Sequence, residues 1–333
     1  MMYSYCYMAN ARKPYSLRSK IPAAPRTLLI TICAVAIVGV GLSAMSRAST
    51  PPVSAEVENG NVQGLAAKAT VAGASGGYAV KFGVGSQDPC ANTASLKFCD
   101  DFDGTAGSAP DSSKWHVLTG SSWGGQCFRN AAENIALDGN GNLRQTLINK
   151  GSTQCTDSEG YNTSVTSGGM DTQDRVYFKY GTFEIRAKIS CAHSMWGAIW
   201  TATGTGPGWP QSGEIDIFEQ FNDQKDAYKQ TIHGGNPHWQ KGATYTYSEP
   251  LCNAFHVYGV DWRQGSLTFT LDGATVSAFT QADANGQPWP FDTYDQRLII
   301  DLQYGSPGWP SAGTPNLAEL PSSMLIDYVR VFK

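Results

Sequence analysis

The segment Ser212-Gly213-Glu214-Ile215-Asp216-Ile217-Phe218-Glu219-Gln220-Phe221 decides how the rest of the chain is read. Three carboxylates stand among β-prone apolar residues, so the segment reads as a strand within a sheet. Alternation puts Glu214 and Asp216 on one face and Ile215 and Ile217 on the other. Continued strictly, it would turn Glu219 into the apolar layer, where a lone ionised carboxylate is too costly. One extra residue, bulged at Ile217 or Phe218, restores the parity and returns Glu219 to the acidic face. The sequence therefore predicts a bulge.

With the bulge in place, four strand steps at about 3.3 Å separate the outer backbone positions by roughly 13 Å. Two glutamates leaning inward from there approach the ~5–5.5 Å carboxyl separation of a retaining glycosidase, with Asp216 between them. A solvated acidic strand is the plain alternative. The surroundings argue against it. Trp196-Gly197-Ala198-Ile199-Trp200 and Gly208-Trp209-Pro210-Gln211 precede the acids, and Tyr180-Gly181-Thr182-Phe183-Glu184-Ile185-Arg186-Ala187-Lys188 lies before those. Phe255-His256-Val257-Tyr258-Gly259-Val260-Asp261-Trp262 and Met324-Leu325-Ile326-Asp327-Tyr328-Val329-Arg330-Val331 follow. In this order, from about Phe98 to the C-terminus, the chain resembles glycoside hydrolase family 16, the laminarinase and lichenase family.

The resemblance implies an all-β jelly-roll sandwich of two antiparallel sheets with an open concave cleft. It implies that Glu214 is the nucleophile and Glu219 the general acid/base, with Asp216 the carboxylate between them. Trp196, Trp200 and Trp209 match positions near the cleft, where indole faces can stack on sugar rings. Trp239 and Trp309 are candidates on flanking loops, whereas Trp115 and Trp262 read as core filler. His233 matches a histidine on a strand beside the catalytic one, and Arg186 reads as a structural ion-pair partner. No catalytic cofactor is implied. A structural calcium is, on the convex side, through Asp327, the Gly141 carbonyl and Asp101; hard oxygen ligands suit that ion. Two positions depart from the family pattern. Asp301 stands where many relatives carry Asn, replacing a donor-acceptor amide with an acceptor-only group. Gly169 stands where some relatives have a basic residue.

Residues 1–48 contain six basic side chains and no acid, and an apolar run spans Thr27 to Met45. This reads as a signal peptide, with Ser46-Arg47-Ala48 as the cleavage site, or as an uncleaved N-terminal membrane anchor. Without that segment 18 basic residues face 28 acidic ones, a net of −10. Such a balance argues against nucleic acid as a partner and fits a neutral polysaccharide. Cys90, Cys99, Cys127, Cys155, Cys191 and Cys252 remain, an even number that in an exported chain suggests up to three disulfides. Cys90–Cys99 is the expected pair; the others stay open. Residues 49–87 read as a flexible linker and 88–333 as one domain, expected to act as a monomer.

The clearer strands are 142–149, 177–190, 195–203, 227–233, 255–262, 297–304 and 324–332. A hairpin of 267–271 and 274–279 turns at Asp272-Gly273, a type I′ signal. The expected activity is that of an exported, retaining endo-β-glucanase on β-1,3- or mixed β-1,3/1,4-glucan. Rival readings are a galactanase- or agarase-like hydrolase, a cell-wall transglycosylase, or a non-catalytic glucan-binding protein. The last is disfavoured because both glutamates are present.

Overall fold

The structure, a computed structural model, describes residues 66–70, 78–82, 88–91, 94–121, 123–157, 160–193, 195–220, 225–305 and 316–333. The leader and Trp309 lie outside them. Within the stretch read as a linker, Ala66–Thr70 and Tyr78–Phe82 pair as a two-stranded antiparallel sheet. No helix among the described residues is long and apolar enough to cross a membrane.

Among the described residues from Leu96 onward the chain forms two large sheets, and the helical turns between strands are short 3-10 ones. The cleft sheet has seven strands: β1 (His116–Val117), β2 (Gly169–Asp171), β3 (Met195–Thr203), β4 (Glu214–Glu219), β5 (Ala227–Gly234), β6 (Trp239–Thr246) and β7 (Gln296–Tyr304). Their spatial order is β6-β5-β4-β3-β7-β2-β1, with all neighbours antiparallel. The catalytic-looking strand β4 is therefore central and held on both edges. The second sheet has eleven strands and runs through Ser322–Phe332, which pairs with Gly181–Lys188 on one side and Leu143–Asn149 on the other. One parallel pairing, Thr166 and Ser167 against Cys127 and Phe128, interrupts its antiparallel order.

Alternation explains the core. Gly181–Lys188 turns Phe183, Ile185 and Ala187 inward, and Ser266–Leu271 turns Leu267, Phe269 and Leu271 inward. These meet Ile199, Ile215, Ile232 and Ile300 of the cleft sheet in one buried cluster. Each fully buried side chain of this size contributes about 1.5–3 kcal/mol. Trp115 and Trp262 belong to it, and each N–H is satisfied, by Asp100 Oδ2 and by the Phe291 carbonyl. Three disulfides tie the domain: Cys90–Cys99 as expected, with Cys127–Cys155 and Cys191–Cys252.

Two details differ from the sequence reading. The strand expected from Tyr177 begins at Gly181, because Tyr180 takes φ +63° and breaks the extended run; Phe178 makes only an isolated bridge to Gln296. Strand β6 was not anticipated. It lies at the sheet edge, is largely exposed, and shows no clear apolar alternation. The Asp272-Gly273 hairpin is as read, with φ of +50° and +81° at the two turn residues, as a type I′ turn requires.

Candidate active site

The site is built on the irregularity in β4. Against β3, Phe218 faces Ile199 and Asp216 faces Trp200, so Ile217 has no partner of its own. Against β5, Asp216 faces Thr231 and Glu219 faces Lys229, so Ile217 and Phe218 together oppose Gln230 alone. Ile217 and Phe218 consequently both point into the core, at 1% and 0% exposure. Phe218 packs its ring 4.4 Å from Tyr258 across the sandwich. Glu214, Asp216 and Glu219 all face an open cleft of about 690 Å³. The strand starts abruptly at Gly213, whose φ is +85° and where a Cβ would meet Pro290 and Phe291 at 2.9–3.0 Å. Only glycine suits that corner.

The three acids have unequal surroundings. Asp216 is fully buried at the cleft floor, and its carboxyl is pushed up to about 8 by burial, with a hydrogen bond to Glu214 opposing. Glu214 is held well above the usual carboxylate range, first by burial and then by the Asp216 charge; His233 and the Trp209 indole pull it back. Glu219 is also held high, by burial and then by the charges of both Asp216 and Glu214. Trp196 Nε1 donates to Glu219 Oε1 at 3.1 Å and opposes the rise. Three carboxyls this close cannot all ionise together, so they titrate as a unit. Glu219 feels two negative neighbours. Glu214 feels one, and lies 3.9 Å from His233 Nε2. A shared proton is thus favoured on Glu219.

Trp196, Trp200 and Trp209 line the cleft, as does His233. Trp209 is 57% exposed, an indole face turned to solvent beside the acids. Two other candidates sit elsewhere. Trp239 does not line the cleft: it stacks on Trp289, 6.2 Å between centroids, and donates its N–H to the Pro288 carbonyl. Asp301 is completely buried beneath the cleft surface, because two lining indoles close over it. Trp123 Nε1 donates to its Oδ2 at 2.5 Å and Trp200 Nε1 to its Oδ1 at 3.1 Å. Burial pushes Asp301 up to about 6 against those hydrogen bonds. Gly169 faces Asp301 across the β2–β7 pairing, and a Cβ there would come within 3.0 Å of Leu118, Phe128 and Asp301. No basic side chain has room at that position.

Trp123, His238, Lys229, Gln240, Arg297 and Gln303 also line the cleft and were not singled out from sequence. Trp123 had a usable signal: it sits in a Ser/Gly-rich stretch, Gly120-Ser121-Ser122-Trp123-Gly124-Gly125.

Of the residues offered for calcium, Asp327 and Asp101 each have other neighbours. Arg186 Nη1 pairs with Asp327 Oδ2 at 2.5 Å, so that carboxylate is already matched by a guanidinium. Asp101 lies instead near Asp88 and Cys90, whose sulfur is in a disulfide. At the cleft, Glu214, Asp216 and His233 bring donor atoms within 4.8 Å of one another, close enough to hold a cation.

Comparison with known proteins agrees with this geometry. The profile of the family described as "Glycosyl hydrolases family 16" matches residues 131–329. A glucan endo-1,3-beta-glucosidase A1 of Niallia circulans is 29% identical over 280 residues, 74% of this chain and 39% of the relative. A keratan-sulfate endo-1,4-beta-galactosidase of Sphingobacterium multivorum is 34% identical over 174 residues, 50% of this chain and 40% of the relative. The chain thus spans about two fifths of the length of these two relatives. Among solved structures, a non-specific endo-beta-1,3(4)-glucanase co-crystallised with 1,3-beta-D-cellotriosyl-glucose is 33% identical with a TM-score of 0.63, covering 72% of this chain and 94% of that one.

Proposed function

Because the chain belongs to glycosyl hydrolases family 16, we propose that it is a retaining endo-β-glucanase that cleaves β-1,3- or mixed-linkage β-1,3/1,4-glucan by double displacement. The observation that carries the reading is the bulge at Ile217, with Glu214, Asp216 and Glu219 facing one cleft. Glu214, ionised, attacks the anomeric carbon while Glu219 passes its proton to the departing glycosidic oxygen. The bond from carbon to the leaving sugar breaks as the ester to Glu214 forms. Glu219, now ionised, takes a proton from water, and the hydroxide attacks the same carbon to release Glu214. Asp216 belongs to the same titrating cluster, and the negative charge it shares with Glu214 raises Glu219, which favours the proton there until the leaving oxygen needs it.

Trp196, Trp200 and Trp209 give sugar rings flat apolar faces in this reading, and the net negative charge favours a neutral glycan over a sulfated one. The relative solved with a β-1,3/1,4-linked oligosaccharide supports the glucan assignment. Export fits as well: three disulfides persist in an oxidising compartment, and the apolar run at Thr27–Met45 would direct the chain there.

The test is digestion of laminarin, lichenan, agarose and xyloglucan, with products sized and the first-formed anomer read by proton NMR. Oligosaccharides from laminarin or lichenan, appearing first as the β-anomer, are expected. An α-anomer first would overturn the retaining mechanism. Cleavage of agarose or xyloglucan alone would overturn the substrate.

A further inference from the structure

His233 presents Nε2 to the acids, 3.3 Å from Asp216 Oδ2 and 3.9 Å from Glu214 Oε1. Its other nitrogen, Nδ1, lies 3.0 Å from Nε2 of His238, in the loop joining β5 to β6. The two rings are within 9° of parallel and their centroids are 5.3 Å apart. That separation is simply the N···N distance plus the two ring radii. The imidazoles therefore meet edge to edge in nearly one plane, the arrangement of an N–H···N hydrogen bond, not of a face-to-face stack. Trp209 covers the His238 ring at 5.0 Å.

One hydrogen can occupy an N···N bond. If His238 donates, His233 Nδ1 must be the acceptor, and its remaining hydrogen is forced onto Nε2, facing the acids. If His233 is doubly protonated it donates to a neutral His238, and Nε2–H again faces the acids. Both arrangements aim the same N–H edge at Asp216 and Glu214. In the third, a neutral His233 donates from Nδ1 to His238 and turns its Nε2 lone pair on two carboxyls, which those acids disfavour. Without His238 the Nε2–H tautomer loses the donor that matches its Nδ1 lone pair. The sign of that edge matters because Asp216 Oδ2 is buried and has no complete hydrogen bond.

We propose that His238 is a positioning residue that acts through His233, fixing the tautomer in which Nε2–H points at the nucleophile and its aspartate. The proposal rests on the glycosidase reading for its kinetic consequence, not for the hydrogen bond itself. The titratable groups facing His233 are Glu214, Asp216 and Glu219 on β4 and His238 in the loop. Burial and the neighbouring His233 both lower His238, which keeps it neutral beside its partner.

The kcat of His238→Ala on laminarin at neutral pH is expected to be about tenfold below wild type, with KM moving less. His238→Gln, whose amide can donate to Nδ1, should recover much of the loss. Nitrogen-15 NMR of labelled histidine provides a readout independent of turnover: His233 as the Nε2–H tautomer in the wild type, mixed in His238→Ala. An unchanged tautomer in His238→Ala, or a wild-type His233 with its hydrogen on Nδ1, overturns the proposal. If no glucan is cleaved but the tautomer shifts as stated, the substrate assignment fails and the positioning role stands.

Discussion

Asp301 offers a quantitative test, because the same buried carboxyl both fixes the cleft lining and costs stability. Its folded pKa is about 6 against an ordinary 3.8, burial being the cause. For an acid raised in the folded state, the stabilising contribution is complete below about pH 3.8 and is lost as pH rises through about 6. The gap corresponds to about 3 kcal/mol. Asp301→Asn removes this titration while keeping the shape. Relative to wild type, the variant should therefore gain about 2.4 kcal/mol of unfolding free energy between pH 4 and pH 7, most of that gap. One hydrogen bond is lost at every pH. The amide oxygen can keep the short bond from Trp123, and its NH2 then confronts the Trp200 N–H, at a cost of about 1–3 kcal/mol. That cost shifts the difference curve vertically and leaves its slope unchanged. Urea unfolding of both proteins at pH 4.0, 5.5 and 7.0 measures it. The other acids titrate in both proteins and cancel in the difference. A difference flat with pH to within about 0.5 kcal/mol would show that the two indoles already offset the burial of Asp301, and the reasoning would fail. The same variant should raise KM for laminarin about tenfold, or 1.4 kcal/mol, because Trp200 loses its anchor at the cleft wall.

The acid/base assignment is checked with Glu219→Ala, which should lose at least 10²-fold in kcat on laminarin yet turn over an activated aryl glycoside when azide is supplied; no azide rescue would remove Glu219 from the role. Glu219→Gln should be inactive but unfold at a higher temperature at pH 8 than wild type. A carboxyl held high by burial and by Asp216 and Glu214 contributes least at high pH. Equal melting temperatures at pH 8 would contradict that. Trp196→Phe removes an N–H that favours ionised Glu219, so the alkaline limb of the kcat profile should move to higher pH.

What could be read from the sequence depended on how local its physical cause was. The bulge in β4 was legible because strand parity and the cost of a buried carboxylate act within six residues. The Cys90–Cys99 bridge was legible for a similar reason, at a separation of nine. The other two bridges span 28 and 61 residues, and nothing local selected them. Asp301 drew notice as a departure from the family pattern, and nothing local decided whether it faced the cleft. Its covering partner Trp123 is 178 positions away, and only the fold reveals that contact. Trp239 looked like a loop aromatic for the same reason: the Trp289 ring that shelters it arrives fifty residues later. Residue type marked the right neighbourhood, and long-range packing decided which face each ring shows.

That packing follows a pattern around the cleft. Trp196 directs its N–H to Glu219, Trp209 to Glu214, and Trp123 and Trp200 both to Asp301. Each indole is pinned at one edge by an acid while its face is left to line the cleft. Pinning at a single atom fixes ring orientation more firmly than apolar contact alone, since apolar contact is not directional. Under the proposed glycosidase reading, the charge state of these acids governs two things at once: which carboxyl holds the catalytic proton, and how tightly the rings lining the cleft are held. Protonation weakens each carboxylate as an acceptor, so acid pH should loosen the lining as well as slow the nucleophile. KM for laminarin should then rise below about pH 6, where Asp301 takes up its proton. Asp301→Asn should remove that rise, whereas Glu219→Gln, read by laminari-oligosaccharide binding, should retain it. If both variants retain it, the rings are held by packing and not by the acids beneath them.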